Sequence, residues 1–64
     1  MWNWHDYDLS IKCNQQPEMR VSVVAENKGA AIKYAKKMYA AEYTIYADDR
    51  ANEWQCELLW EEEV

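Results

Sequence analysis

An α+β fold is predicted from the sequence: a single small domain in the order ββαββ, with one helix packed on a mostly antiparallel four-stranded sheet. Three observations carry this prediction. Apolar residues recur at every second position in two segments before residue 26 and in two after residue 42, which is the period of half-buried strands. Between them lies a segment of good helix formers whose apolar residues recur with helical spacing. Turn-forming residues at 14–18 and 48–52 separate the paired strands. The 64 residues suit one domain with a radius of gyration of roughly 11 Å. Residues 1–64 therefore read as one unit, with 1–6 a mobile terminal segment and 62–64 a frayed acidic end.

In the first strand Tyr7, Leu9, Ile11 and Cys13 alternate with Asp8, Ser10 and Lys12. Successive strand side chains point to opposite faces, so one face is apolar and the other polar. Asn14, Gln15, Gln16, Pro17 and Glu18 form a turn, after which Met19, Val21, Val23 and Ala25 alternate with Arg20, Ser22, Val24 and Glu26. The two segments read as a hairpin with a five-residue loop.

Asn27 is placed to cap a helix running from Lys28 to about Ala41. On a helical wheel Ala31, Ile32, Ala35, Met38 and Tyr39 share one face, and Lys33, Lys36 and Lys37 lie opposite. Lys36 and Lys37 are expected near the negative end of the helix dipole. A third strand is predicted where Tyr43, Ile45 and Ala47 alternate with Thr44, Tyr46 and Asp48. The turn Asp48 to Asn52 leads into a fourth strand over 53–63. One helix covers one sheet face, so the other, displaying Val24, Tyr46 and Leu59 among acids, is left open to solvent or to a partner.

The net charge of −5 is unevenly distributed. Residues 28–41 carry Lys28, Lys33, Lys36 and Lys37 and no acid, leaving all twelve acids against Lys12, Arg20 and Arg50, a balance of −9. Direct binding to nucleic acid or to an anionic membrane is disfavoured, because phosphate contacts need a basic surface. A basic protein partner is favoured instead. The N-terminal residues lack the pattern of a signal peptide, and no run approaches the roughly 20 apolar residues that span a bilayer. A cytoplasmic chain is expected, with Cys13 and Cys56 as free thiols on apolar strand faces.

The residues offer little chemistry. His5 is the only histidine and sits near the terminus; Gly29 is the only glycine, so a phosphate-cradling loop is absent. Two cysteines and one histidine fall short of a closed zinc site. The oxygens of Asp48, Asp49, Asn52 and Glu53 lack the spacing and glycine of a calcium-binding loop. No enzyme activity, cofactor or metal is predicted.

The fourth strand carries the functional clue. Even positions give Trp54, Cys56, Leu58 and Trp60; odd positions give Glu53, Gln55, Glu57, Leu59, Glu61 and Glu63. In a regular strand the odd positions form one row, with Glu57 and Glu61 about 13 Å apart. A rigid row of carboxylates is comparable to the edge of a nucleic-acid backbone, with its phosphate about every 3.4 Å on each strand. The same letters also fit a solvated face partly neutralised by Lys12 or Arg20.

In size and acidity, in Asn27 opening a lysine-rich helix, in the acidic turn at Asp48 and Asp49, and in the row Glu53, Glu57 and Glu61, the chain resembles the small phage-encoded anti-CRISPR proteins, particularly inhibitors of type I systems. The resemblance implies a monomeric DNA-mimicking inhibitor in the host bacterial cytoplasm. Its partner would be a basic nucleic-acid-binding protein such as the large DNA-recognition subunit of a type I surveillance complex. Asp48, Asp49, Glu53, Glu57 and Glu61 are the expected partner-binding residues. The alternative is a small accessory or assembly protein that joins a partner through exposed aromatic residues, such as Trp2 and Trp4, or through a sheet edge.

Overall fold

A computed structural model describes residues 3–46 and 50–63. Their order is ββαβ: β1 (His5–Cys13), β2 (Met19–Ala25), α1 (Lys28–Tyr43) and β3 (Trp54–Glu63). The strands form one antiparallel sheet in the spatial order β2-β1-β3. Both β2 and β3 run against β1 and hence parallel to each other, so the β2–α1–β3 crossover straddles the first strand. The predicted α+β class and the helix-on-sheet layering are present, but the described residues hold three strands and not four.

The core is the helix-facing side of the hairpin. Tyr7, Leu9, Ile11 and Cys13 of β1 and Val21, Val23 and Ala25 of β2 are buried, together with Ala31, Ala35 and Tyr39 of α1. The pairs Leu9 with Val21 and Tyr7 with Val23 place large side chains side by side beneath the helix. Ala31 and Ala35, four residues apart, let the helix backbone lie close to the sheet, and Tyr39 fills the space at the following turn. The Tyr39 hydroxyl donates to the Pro17 carbonyl at 2.6 Å, fastening the helix to the β1–β2 loop. Met38, expected in the core, is 46% exposed, and Ala40 is buried instead.

The described part of the predicted third strand is not a strand: Tyr43 ends the helix, Thr44 caps it, and Ile45 and Tyr46 follow without regular structure. Tyr43 closes α1 and packs against Tyr39, ring centroids 4.5 Å apart. That i, i+4 pair continues the helical face, and it outweighs the short alternation that also fitted a strand. Thr44 then adopts a left-handed conformation (φ 55°, ψ 48°), and the Ile45 amide donates back to Ala40 O at 3.0 Å, closing the helix in a Schellman arrangement. Tyr46, expected on the open sheet face, follows this stop and is 84% exposed; Ala47 lies outside the described residues. The N-terminal cap is as expected, with Asn27 Oδ1 accepting from the Ala30 amide at 2.8 Å. Because the helix continues to Tyr43, Lys36 and Lys37 fall in its middle and the last turn holds no basic residue.

At the sheet end where the first and last strands meet, the described residues are paired. His5 and Asp6 stand between Ala25 and Val24 on one side and Glu63 and Glu62 on the other. Three-stranded pairing thus extends to this end of the sheet.

Candidate protein-binding face

A one-residue irregularity in β3 decides where its carboxylates point. Up to the middle of the strand Cys13, Ile11 and Leu9 oppose Trp54, Cys56 and Leu58; beyond it Asp8 opposes Trp60 and Tyr7 opposes Glu61. Leu59 is left over, a β-bulge, and the alternation changes phase there. Directly opposed residues share a face. Glu57, opposite Ser10, therefore lies on the open face, and Glu61, opposite Tyr7, lies on the helix-facing side. The single row Glu53, Glu57, Glu61 and Glu63 does not exist in the folded chain.

The predicted partner-binding residues consequently separate. Glu57 is exposed on the open face. Glu61 and Glu63 stand near His5 on the other side, with His5 Nδ1 3.3 Å from a Glu61 carboxylate oxygen. Burial and the Glu61 charge both raise the Tyr7 pKa, burial being the larger cause. Glu53 precedes β3 and is bonded twice to Asn14: the Asn14 backbone amide donates to Glu53 O at 2.9 Å, and the Glu53 backbone amide donates to the Asn14 side-chain Oδ1 at 2.8 Å. Asp48, Asp49 and Trp2 lie outside the described residues.

Sequence reasoning missed the clamp around Asn14. With φ 55°, a conformation asparagine tolerates well, it turns the chain out of β1 and donates from Nδ2 to Asn52 Oδ1 at 3.1 Å. Asn52 in turn donates from Nδ2 to the Tyr46 carbonyl at 2.7 Å, so its amide ties loops together. Asparagines at both loop ends were the available signal.

The open face is built from cross-strand rows. Val24, Asp6 and Glu62 form one; Ser22, Asp8 and Trp60 the next; Arg20, Ser10 and Glu57 the third. Ser22 donates to Asp8 at 2.7 Å, and Ser10 donates to Glu18. One Asp6 carboxylate oxygen is enclosed without a hydrogen-bond partner. Among the described residues the single ion pair within 4.0 Å joins His5 and Glu61, so Lys12 and Arg20 leave these open-face carboxylates without a salt bridge. Apolar surface lies among the charges: Trp60 is 60%, Val24 52% and Leu59 42% exposed. Two shallow grooves flank β1, about 330 Å³ bordered by Asp8, Arg20, Ser22 and Leu59, and about 240 Å³ bordered by Lys12, Glu18, Gln55 and Glu57.

The opposite layer is basic. Lys28, Lys33 and Lys37 are exposed on α1. Lys36, expected to point outward, is half-buried with its ammonium 5.6 Å from the centre of the Trp54 ring, where cation–π attraction holds it. Lysines are thus gathered on the outer side of the helix, while the open sheet face carries Asp6, Asp8, Glu57 and Glu62 against Lys12 and Arg20.

Cys13 and Cys56 are free, as expected. Cys13 is buried in the core, but Cys56 is exposed although its register places it beside Ile11. The helix packs chiefly on β1 and β2 and leaves the outer strand less covered. Partial desolvation raises the Cys56 pKa, against a smaller opposing pull from Lys36 and Lys28.

What fold and face define is a two-layer α+β domain with one uncovered, acidic and partly apolar sheet face. The chain matches no protein-family profile, no curated protein and no solved structure. No helix among the described residues is long and apolar enough to cross a membrane.

Proposed function

We propose that this chain is a protein-binding inhibitor that sets its open sheet face against the basic, nucleic-acid-binding surface of a partner. The observation that carries the reading is the excess of acid on that face, with Asp6, Asp8, Glu57 and Glu62 around Trp60 and Leu59 against Lys12 and Arg20. Charge-assisted bonds to arginine provide orientation and fast encounter, and desolvated aromatic surface provides affinity. The resemblance to anti-CRISPR proteins makes the large DNA-recognition subunit of a type I surveillance complex the first partner to test. The inhibition is stoichiometric and requires no chemical step.

Two double variants with the same charge change on the same strand separate the faces. Glu57→Lys with Glu62→Lys alters the open face; Glu61→Lys with Glu63→Lys alters the helix side. In a DNA mobility-shift assay with a purified type I complex, the intact protein and the helix-side pair should both abolish DNA binding, and the open-face pair should restore it. Undiminished DNA binding across several type I complexes would remove the anti-CRISPR reading.

The exposed Trp60 and Trp4, the latter 42% exposed, favour a second reading as an accessory protein that docks through aromatic anchors. Added salt discriminates the two, since charge mimicry weakens steeply with ionic strength and aromatic docking does not.

A further inference from the structure

We infer that the element recognised by the open face is a basic amphipathic helix of the partner; this rests on the reading of that face given above. Sheet faces and sheet edges take different guests. An extended segment joins an edge, where free backbone groups await it, but the exposed edge of β3 is interrupted by the bulge at Leu59 and lined by Glu57, Glu61, Glu62 and Glu63, features that oppose strand addition. The open face needs a guest whose backbone is already satisfied, and a helix meets that requirement.

Dimensions and chemistry agree with this guest. Three strands spaced about 4.8 Å apart give a floor about 10 Å across between the outer strand axes, close to the diameter of one helix. Val24 on β2 and Leu59 with Trp60 on β3 form the apolar contact, one on each side of the acidic central strand. Side chains of the guest enter the grooves flanking β1. Asp8 on the central strand and the exposed Glu57 and Glu62 of β3 present carboxylates to arginines or lysines bordering the guest's apolar stripe. A second copy's helix also offers lysines, but each chain carries a net charge of −5, which opposes self-docking. A partner helix that normally lies against nucleic acid has the required basic surface.

The test uses the full chain and two labelled peptides of identical Leu, Ala, Arg and Lys composition. One has its leucines at i, i+3, i+4 and i+7; in the other the order is shuffled so that no stripe forms. Fluorescence anisotropy at low salt should show the striped peptide binding at least about tenfold more tightly, a difference of about 1.4 kcal/mol. Trp60→Ser or Val24→Ser, at exposed positions, should remove most of that preference while circular dichroism stays unchanged. Equal binding of both peptides would overturn the helix inference and leave charge-driven docking in place. Failure of both to bind would overturn the inference and count against the inhibitor reading as well. Self-association of the free chain, abolished by Trp60→Ser, would assign the face to a second copy and overturn the partner-helix inference.

Discussion

Changing Tyr39 to Phe isolates the bond that fixes the β1–β2 loop to the helix. Tyr39 is fully buried, so the ring's packing is retained, and what disappears is the 2.6 Å hydrogen bond to the Pro17 carbonyl. Pro17 is exposed, and its freed oxygen can be hydrated; the loss is therefore the net value of one hydrogen bond, about 1 kcal/mol, without a further burial penalty. For 64 residues that corresponds to a fall in Tm of about 7 °C. The ring itself counts for more: it lies 4.5 Å from Tyr43 and 5.7 Å from Trp54, and Tyr39→Ala should cost about 3–5 kcal/mol, comparable to the whole stability of so small a domain. Urea denaturation followed by circular dichroism measures both. A Tyr39→Phe protein as stable as the parent would refute the role of this bond in fastening the loop.

Two further outcomes follow from the backbone and the buried titrating groups. Thr44 is a β-branched residue in the left-handed region, and Thr44→Gly should raise stability by about 0.5–1 kcal/mol, relief of strain exceeding the added freedom of the unfolded chain; a lower Tm would refute this. Burial raises the pKa of Cys13 above its ordinary 9.0 and those of Tyr7 and Tyr39 above 10.0. The native state then holds these protons more tightly than the unfolded chain. This contribution is fully present below the unfolded values and is lost as pH rises through the folded ones, so the urea midpoint should fall above about pH 9. An undiminished midpoint through that alkaline range would contradict it.

Where local pattern and tertiary packing agreed, the sequence was legible. The β1–β2 hairpin with its loop at 14–18, the Asn27 cap and the Ala31, Ala35 and Tyr39 stripe could all be read because each answers to a period or a cap. The segment 43–46 was misread because alternating apolar residues fit a strand as well as a helix end, and only the packing of Tyr43 on Tyr39 decides between them. The acidic surface was legible in composition and not in geometry. A bulge leaves the alternation of β3 intact on paper while reversing its faces, and Leu59 among the supposedly outward acids was the sole hint. Asp6 and Asp8 were overlooked because their acidity is dispersed along β1, and the strand pairing brings them alongside Trp60 and Glu62.

The phase change at Leu59 also governs how substitutions in β3 combine. Glu57 and Glu61, four positions apart on one strand, are separated by the thickness of the sheet and have different neighbours, Ser10 for the first and Tyr7 with His5 for the second. Their effects on stability should be nearly additive, whereas Glu57 should show coupling to Glu18, far away in sequence but bordering the same groove. The two halves of one strand are thus free to change independently, each answering to its own side of the molecule.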